Sequence, residues 1–180
     1  MKKLALALAA AGLLALAPAA PALASLETPE AKAEAADAAQ VARAEMYDVF
    51  GKAPKNGEYL WRKGSFDGDP KVVISLADQI AFLYRGDELI AVSSVSTGTD
   101  KKPTPTGIFE VLQKKPFHRS VKYDNAPMPF MQRIDRFGVA LHAGHLPGYP
   151  ASHGCIRLPS AFAKKLYGVT SVGATVMIGA

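Results

Sequence analysis

From Lys71 onward the chain breaks into short β-type runs separated by turn residues, and no other feature limits the fold as strongly. Val72-Val73-Ile74-Ser75, Gln79 to Tyr84 and Glu88 to Val95 are candidate strands, and the last two are joined through Arg85-Gly86-Asp87, a hairpin signal. Gly107 to Leu112 is another, placed after the loop Lys101-Lys102-Pro103-Thr104-Pro105-Thr106. Val139 to His142 and Thr175 to Ile178 complete the set. Ser160 to Tyr167 is the only helical stretch of this region, with Phe162 and Leu166 four apart on one face. Many short strands and one helix predict a mainly β fold, a sandwich or a partly open barrel.

The preceding segments differ in character. Met1 to Ala24 has a basic start (Lys2, Lys3), an apolar run from Leu4 to Leu16, and Ala22-Leu23-Ala24 at its end, the pattern of a signal peptide cleaved before Ser25. A retained anchor is the alternative, but about thirteen apolar residues are too few to cross about 30 Å of hydrocarbon. The apolar run is followed by no cysteine that could carry a lipid. Removing Lys2 and Lys3 with the segment lowers the net charge from +5 to +3, which offers no argument for nucleic-acid binding and suits an anionic envelope polymer or a plain solvated surface.

Thr28 to Phe50 is alanine-rich and reads as a helix, with Thr28 as cap, Pro29 in the first turn and Gly51 as terminator. Its apolar side is mostly alanine until Val41, Met46, Val49 and Phe50, so a spacer burying little is expected, docked at most by its C-terminal end. Gly51 to Pro70 holds four glycines, two prolines and the only tryptophan, and reads as a connector in which Tyr59 to Trp61 forms a short strand. The expected organisation is a signal peptide over 1–24, a helical spacer and connector over 25–69, and one β-rich domain over 70–180.

Cys155 is the single cysteine. A lone thiol in an exported chain has no internal disulfide partner, which makes reactivity the natural reason for it. Three of the four histidines, His142, His145 and His153, lie within thirteen positions of it. A thiol attacks as thiolate, so a base or positive charge is expected to lower its pKa. His142 is the best base: alternation along Val139–His142 sets it on the face of Ala140 and Gly138, with open space above those small residues. The loop Ala143 to Ser152 can then fold back to bring Cys155 against it. Gly154 permits a sharp turn that points backbone N–H groups of Gly154 and Cys155 at a developing oxyanion. Arg157 falls on the side of Cys155 and His153 in an extended segment, suited to a carboxylate. Structural roles for His145 and His153, a solvated or acid-paired Arg157, and a zinc site of His142, His145, His153 and Cys155 are the competing readings, the last with a spacing that fits no common ligand framework.

Ser152-His153-Gly154-Cys155-Ile156-Arg157-Leu158 resembles the Ser/Thr-His-Gly-Cys-x-Arg signature of the L,D-transpeptidase catalytic domain. Gln79 to Tyr84, Gly86, Ser96-Thr97-Gly98, Thr104-Pro105-Thr106-Gly107, Met128-Pro129-Phe130 and Val139 to Gly144 are similar to further stretches of that family. The likeness covers about residues 70 to 180. The interval from His142 to His153 is shorter than in many members, implying a small loop over the site.

The resemblance implies a mixed β-sandwich and a peptidoglycan enzyme without a cofactor or metal. Cys155 matches the nucleophile, His142 the proton donor and acceptor, and the carbonyl of Ala143 or Gly144 the group that orients its ring. His153 and Arg157, with Ser152, His145 and Met128, are the expected substrate-binding set, and Gly154 the backbone oxyanion donor. The implied substrates are a peptide stem ending in diaminopimelate and D-alanine, and a second stem whose amine resolves the thioester as a 3→3 cross-link, in the periplasm or cell wall. Resolution by water, as an L,D-carboxypeptidase or endopeptidase, or by a protein lysine, uses the same residues; a non-catalytic wall-binding module is a reading from another class. His118-Arg119-Ser120 and Tyr123-Asp124-Asn125 suit either a lid or ordinary loop.

Overall fold

The structure is a computed structural model that describes residues 25–180; the expected signal peptide, 1–24, lies outside the described residues. In chain order the elements are β1 (Ser25–Leu26), α1 (Pro29–Phe50), β2 (Tyr59–Trp61), β3 (Pro70–Ser75), β4 (Ile80–Arg85), β5 (Glu88–Ser94), β6 (Gly107–Glu110), β7 (Gln113–Lys115), β8 (Arg119–Ser120), β9 (Ala126–Pro127), β10 (Met131–Arg133), β11 (Ala140–Ala143), β12 (Ile156–Leu158), α2 (Ser160–Val169) and β13 (Thr175–Gly179). All the expected strands form, with ends shifted by one or two residues. Those that sequence reading missed (β1, β7 to β10 and β12) have two or three residues each, too few for a period to show.

A seven-stranded sheet runs in the order β1-β6-β13-β3-β4-β5-β2, a four-stranded sheet in the order β12-β11-β10-β7, and β8 and β9 form a separate ribbon. Both main sheets are mixed, because β13 pairs parallel with β3 and β11 pairs parallel with β12. Between them lies the main core. Val72, Ile74, Ala81, Leu83, Val176 and Ile178 of the large sheet meet Leu141, Ala143, Ile156 and Leu158 of the small one, with Phe162 and Leu166 of α2.

The other face of the large sheet is covered too. Val73, Ile80, Phe82, Tyr84, Val92 and Met177 pack against Ala35, Ala39, Ala42 and Met46 of α1. Burial on both faces explains why β3, β4 and β5 read as continuous apolar runs and not as alternating ones.

This coverage revises the expected role of α1. The helix begins as anticipated, with Thr28 Oγ1 accepting from Ala31 N–H at 3.2 Å and Gly51 ending it in a left-handed conformation. It is not a spacer, however. Ala31, Ala35, Ala39, Ala42 and Met46 form a buried stripe from end to end. The stripe looks weak in sequence because its side chains are small, and that smallness lets the helix backbone lie directly on the sheet. A Cβ on Gly179 of β13 would stand 2.8 Å from Ala36 Cα. Tyr84 adds a polar tie by donating its hydroxyl to the Glu45 carboxylate at 2.9 Å.

Enlarging a fully buried alanine on this stripe should overpack the contact. Ala35→Leu is expected to lower unfolding stability by about 1–3 kcal/mol in a urea titration, whereas Val41→Ser on the exposed side should change it by less than about 0.5 kcal/mol. Equal, negligible effects would mean that the helix is a spacer after all.

Candidate active site

The parallel ladder between β11 and β12 sets Leu141 beside Ile156, His142 beside Arg157 and Ala143 beside Leu158. Directly paired residues share a face and neighbours alternate. Leu141, Ala143, Ile156 and Leu158 therefore enter the core, while His142, Arg157, Ala140 and Cys155 take the opposite face. Cys155, just ahead of β12, packs with Met128, Met131 and Ala140.

His142 is buried, and its Nδ1–H donates to the Ala143 carbonyl at 2.8 Å, the first of the two candidate acceptors. That bond fixes the tautomer and leaves the Nε2 lone pair as the basic position. Burial holds the imidazole below the usual histidine value, and the electrostatic influence of Arg157 and of the His118 ring pushes the same way, against the bond to Ala143.

The thiol departs from expectation. Burial pushes Cys155 up, reinforced by the Asp135 carboxylate; the Ala140 N–H and the Arg157 charge pull it down without reversing the result. Its S–H donates to the Gly138 carbonyl at 3.7 Å and, among the described residues, no hydrogen bond joins it to His142. The resting pair is a neutral thiol and a neutral imidazole. Desolvation outweighs the positive neighbours because the site is roofed by apolar side chains. Contacts of this kind commonly close only once substrate is bound.

The loop ahead of the cysteine is braced by backbone. Gly154 takes φ +111°, a conformation open to glycine, and its carbonyl accepts from Thr104 Oγ1 at 2.9 Å. Its N–H donates to Ser152 Oγ at 3.0 Å, so Gly154 is not the free oxyanion donor expected of it. Cys155 N–H, in contrast, finds no acceptor among the described residues. Ser152 also differs from expectation: buried, with its hydroxyl donating to the Cys155 carbonyl, it is a brace and not a substrate contact.

A second layer holds this brace, and sequence reading missed it. Thr104 Oγ1 also accepts from Gly98 N–H at 2.8 Å, while the Thr97 carbonyl takes the N–H groups of Ala151 and Ser152. Gln79, at φ +54°, spends its amide on Thr97 N–H, Thr97 Oγ1 and the Leu76 carbonyl. Asp135 is buried and its Oδ1 accepts from the N–H groups of Phe137, Gly138 and Val139 at 2.7–2.9 Å, shaping the hairpin that presents Gly138 to the thiol. An Asp three residues ahead of a Gly is a turn signal that could have been read here; the Gln79 contacts have no local signature.

The remaining expected residues separate clearly. Met128 is buried beside Cys155. Arg157 stands on the catalytic face and interacts with both Cys155 and His142. His153 is exposed and stacks on Tyr123, ring centroids 4.4 Å apart and 18° between planes, with Lys102 Nζ 4.9 Å from the Tyr123 ring. The turn between β8 and β9 thus touches the Cys loop through Tyr123, and His118 reaches His142 electrostatically. His145 is exposed in the loop after β11 and makes no hydrogen bond to the cluster among the described residues. Nor do any three His, Cys, Asp or Glu side chains among the described residues gather as a metal site.

Comparison with known proteins accords with this geometry. The YkuD family, the L,D-transpeptidase catalytic domain, matches residues 69–178, and the chain belongs to that family. Similar solved structures include an L,D-transpeptidase from Mycobacterium smegmatis (23% identity, TM-score 0.58, covering 62% of this chain and 59% of that one). Another is an L,D-transpeptidase from Stackebrandtia nassauensis (25% identity, TM-score 0.57, 72% and 60%). A third is L,D-transpeptidase 3 from Mycobacterium tuberculosis in complex with a faropenem-derived adduct (22% identity, TM-score 0.55, 62% and 61%). The chain spans about three fifths of the length of these structures. No curated protein matches.

Two outcomes follow. Thr104→Val strands the Gly98 N–H and the Gly154 carbonyl and should cost about 2–4 kcal/mol in urea unfolding; a loss below about 0.5 kcal/mol would show that the loop holds itself. Iodoacetamide alkylation of Cys155 should accelerate as pH rises, with a midpoint above the ordinary thiol value of about 8.5. Asp135→Asn should move that midpoint down and Arg157→Met should move it up. A midpoint near neutrality in the unmodified protein would exclude the neutral resting pair.

Proposed function

We propose that this protein is a peptidoglycan L,D-transpeptidase that forms 3→3 cross-links through a thioester on Cys155, releasing D-alanine. The observation that carries the reading is an imidazole of fixed tautomer, its Nδ1 bonded to Ala143, on the same sheet face as the thiol. The enzyme works after export, in the periplasm or cell wall, following removal of residues 1–24. Its partners are two peptide stems, an acyl donor and an amine acceptor.

The donor displaces water and brings its carbonyl on the L-centre of diaminopimelate to Cys155. His142 Nε2 takes the thiol proton, and Sγ attacks. Cys155 N–H stabilises the oxyanion, since Gly154 N–H is committed to Ser152. Collapse breaks the amide bond; the imidazolium gives its proton to the departing D-alanine amine, leaving the thioester and a neutral imidazole. The acceptor amine then loses a proton to His142 as it attacks, and the returning proton restores the thiol. A neutral resting pair suits this cycle, because a charged thiolate–imidazolium pair would be expensive to keep in so dry a pocket. The faropenem-derived adduct in complex with the Mycobacterium tuberculosis relative supports a site of this type.

Intact-protein mass spectrometry with a D-alanine-terminated tetrapeptide donor should show an adduct lighter than the donor by D-alanine, absent from Cys155→Ala, whose melting temperature stays within a few degrees. With an amine acceptor, the muropeptide masses should show cross-linked dimers. Trimmed tripeptides alone would identify a hydrolase, and an adduct on Cys155→Ala would sink the mechanism.

A further inference from the structure

The Nε of Arg133 is the one buried side-chain nitrogen or oxygen without a hydrogen-bond partner among the described residues. Buried guanidinium nitrogens are normally satisfied, so this atom calls for a partner. Its position says which kind. Arg133 on β10 is paired with Ala140 on β11, and the β11–β12 register sets Ala140 level with Cys155. Arg133 therefore shares the catalytic face, in the same row as the nucleophile and two strands away. The next row along holds Arg157, His142, Met131 and Lys115. Residues of the opposite parity point the other way: Gln132 accepts from Thr170 and Lys114 donates to carbonyls of Tyr167 and Thr170.

Among the described residues, no carboxylate forms an ion pair with Arg133. The described ion pairs are Arg43–Asp78 and Arg62–Glu88. Asp135, two residues on, has Oδ1 committed to three backbone N–H groups. The two Nη groups make no hydrogen bond either, but the side chain is only partly buried and neither Nη is sealed off as Nε is, so they remain reachable. A planar fork with one open edge and an unsatisfied Nε is matched by a carboxylate arriving side-on.

We propose that Arg133 is a carboxylate-binding residue of the donor site, engaging a free carboxylate carried by the peptide at roughly two strand spacings, about 10 Å, from the attacked carbonyl. This deepens the reading of the protein as a peptide acyltransferase and rests on it. The specificity it confers is for a free acid over the corresponding carboxamide, which presents one acceptor where the carboxylate presents two and carries no charge.

The test uses the full chain with Cys155→Ala, so that binding is measured without chemistry. D-alanine-terminated tetrapeptide donors are compared by calorimetric titration: one with its internal carboxylates free, the others with each converted singly to carboxamide. One amide should weaken binding about tenfold or more. Arg133→Met in that background should bind the free acid and that amide alike, and Arg133→Lys should retain part of the discrimination. If Arg133→Met does not fold, the intermediate discrimination of Arg133→Lys carries the test. Equal binding of acid and amides by the parent, including no binding of any, overturns the proposal, as does discrimination that survives in Arg133→Met or stands undiminished in Arg133→Lys. Were the active protein to form no adduct and no cross-link, the enzymatic reading would fall, while the acid–amide comparison would still decide the role of Arg133.

Discussion

The parallel pairing of β11 with β12 is the constraint on which the rest of the site depends. Side chains alternate across a strand, so this one register decides which residues of each strand enter the core and which take the opposite face. As built, Leu141, Ala143, Ile156 and Leu158 fill the space between the sheets while His142, Cys155 and Arg157 share the other side. A slip by one residue would send the thiol into the core and an isoleucine into the catalytic cleft. The register is held from both sides of the segment. Ser96 and Arg157 exchange two backbone hydrogen bonds at 2.9–3.0 Å, and Thr97, Gly98 and Thr104 grip the loop just ahead of it.

Burial then sets the chemical state of what the register brings together. The same apolar wall of Met128, Met131 and Ala140 that shapes the cleft removes water from the thiol. A cysteine in solution is a few per cent ionised near neutrality; this one is less so, and the histidine beside it is also uncharged. Such a site does not advertise its nucleophile to every passing electrophile.

Much of this was legible in the sequence, for reasons that differ from element to element. The long strands showed themselves because both faces of the large sheet are covered, leaving uninterrupted apolar runs such as Ile80–Tyr84. Cys155 and His142 were singled out because nucleophilic chemistry demands particular residue types and the cysteine has no rival, and the fold sets the two on one sheet face. The helix α1 was recognised but its role was misjudged, since alanine contributes little hydrophobicity while allowing close approach. The roles of Gly154 and Ser152 were exchanged: the glycine amide that seemed free is held by the serine hydroxyl that seemed available. The Gln79–Thr97 contact joins residues eighteen apart whose meeting depends on the folded hairpin, and no local pattern encodes it.

The position of β13 has a consequence for how the protein comes into being. The last of the described strands is interior to the large sheet, between β6 and β3, and α1 from the first part of the described chain lies across it. Until residues 175–179 arrive, β6 and β3 have no strand to join them, and the helix lacks one of its main supports. The two halves of the large sheet are therefore closed by contacts of the greatest sequence separation, which form late. A nascent chain emerging from N- to C-terminus thus carries His142 and Cys155 for some time before the large sheet is complete.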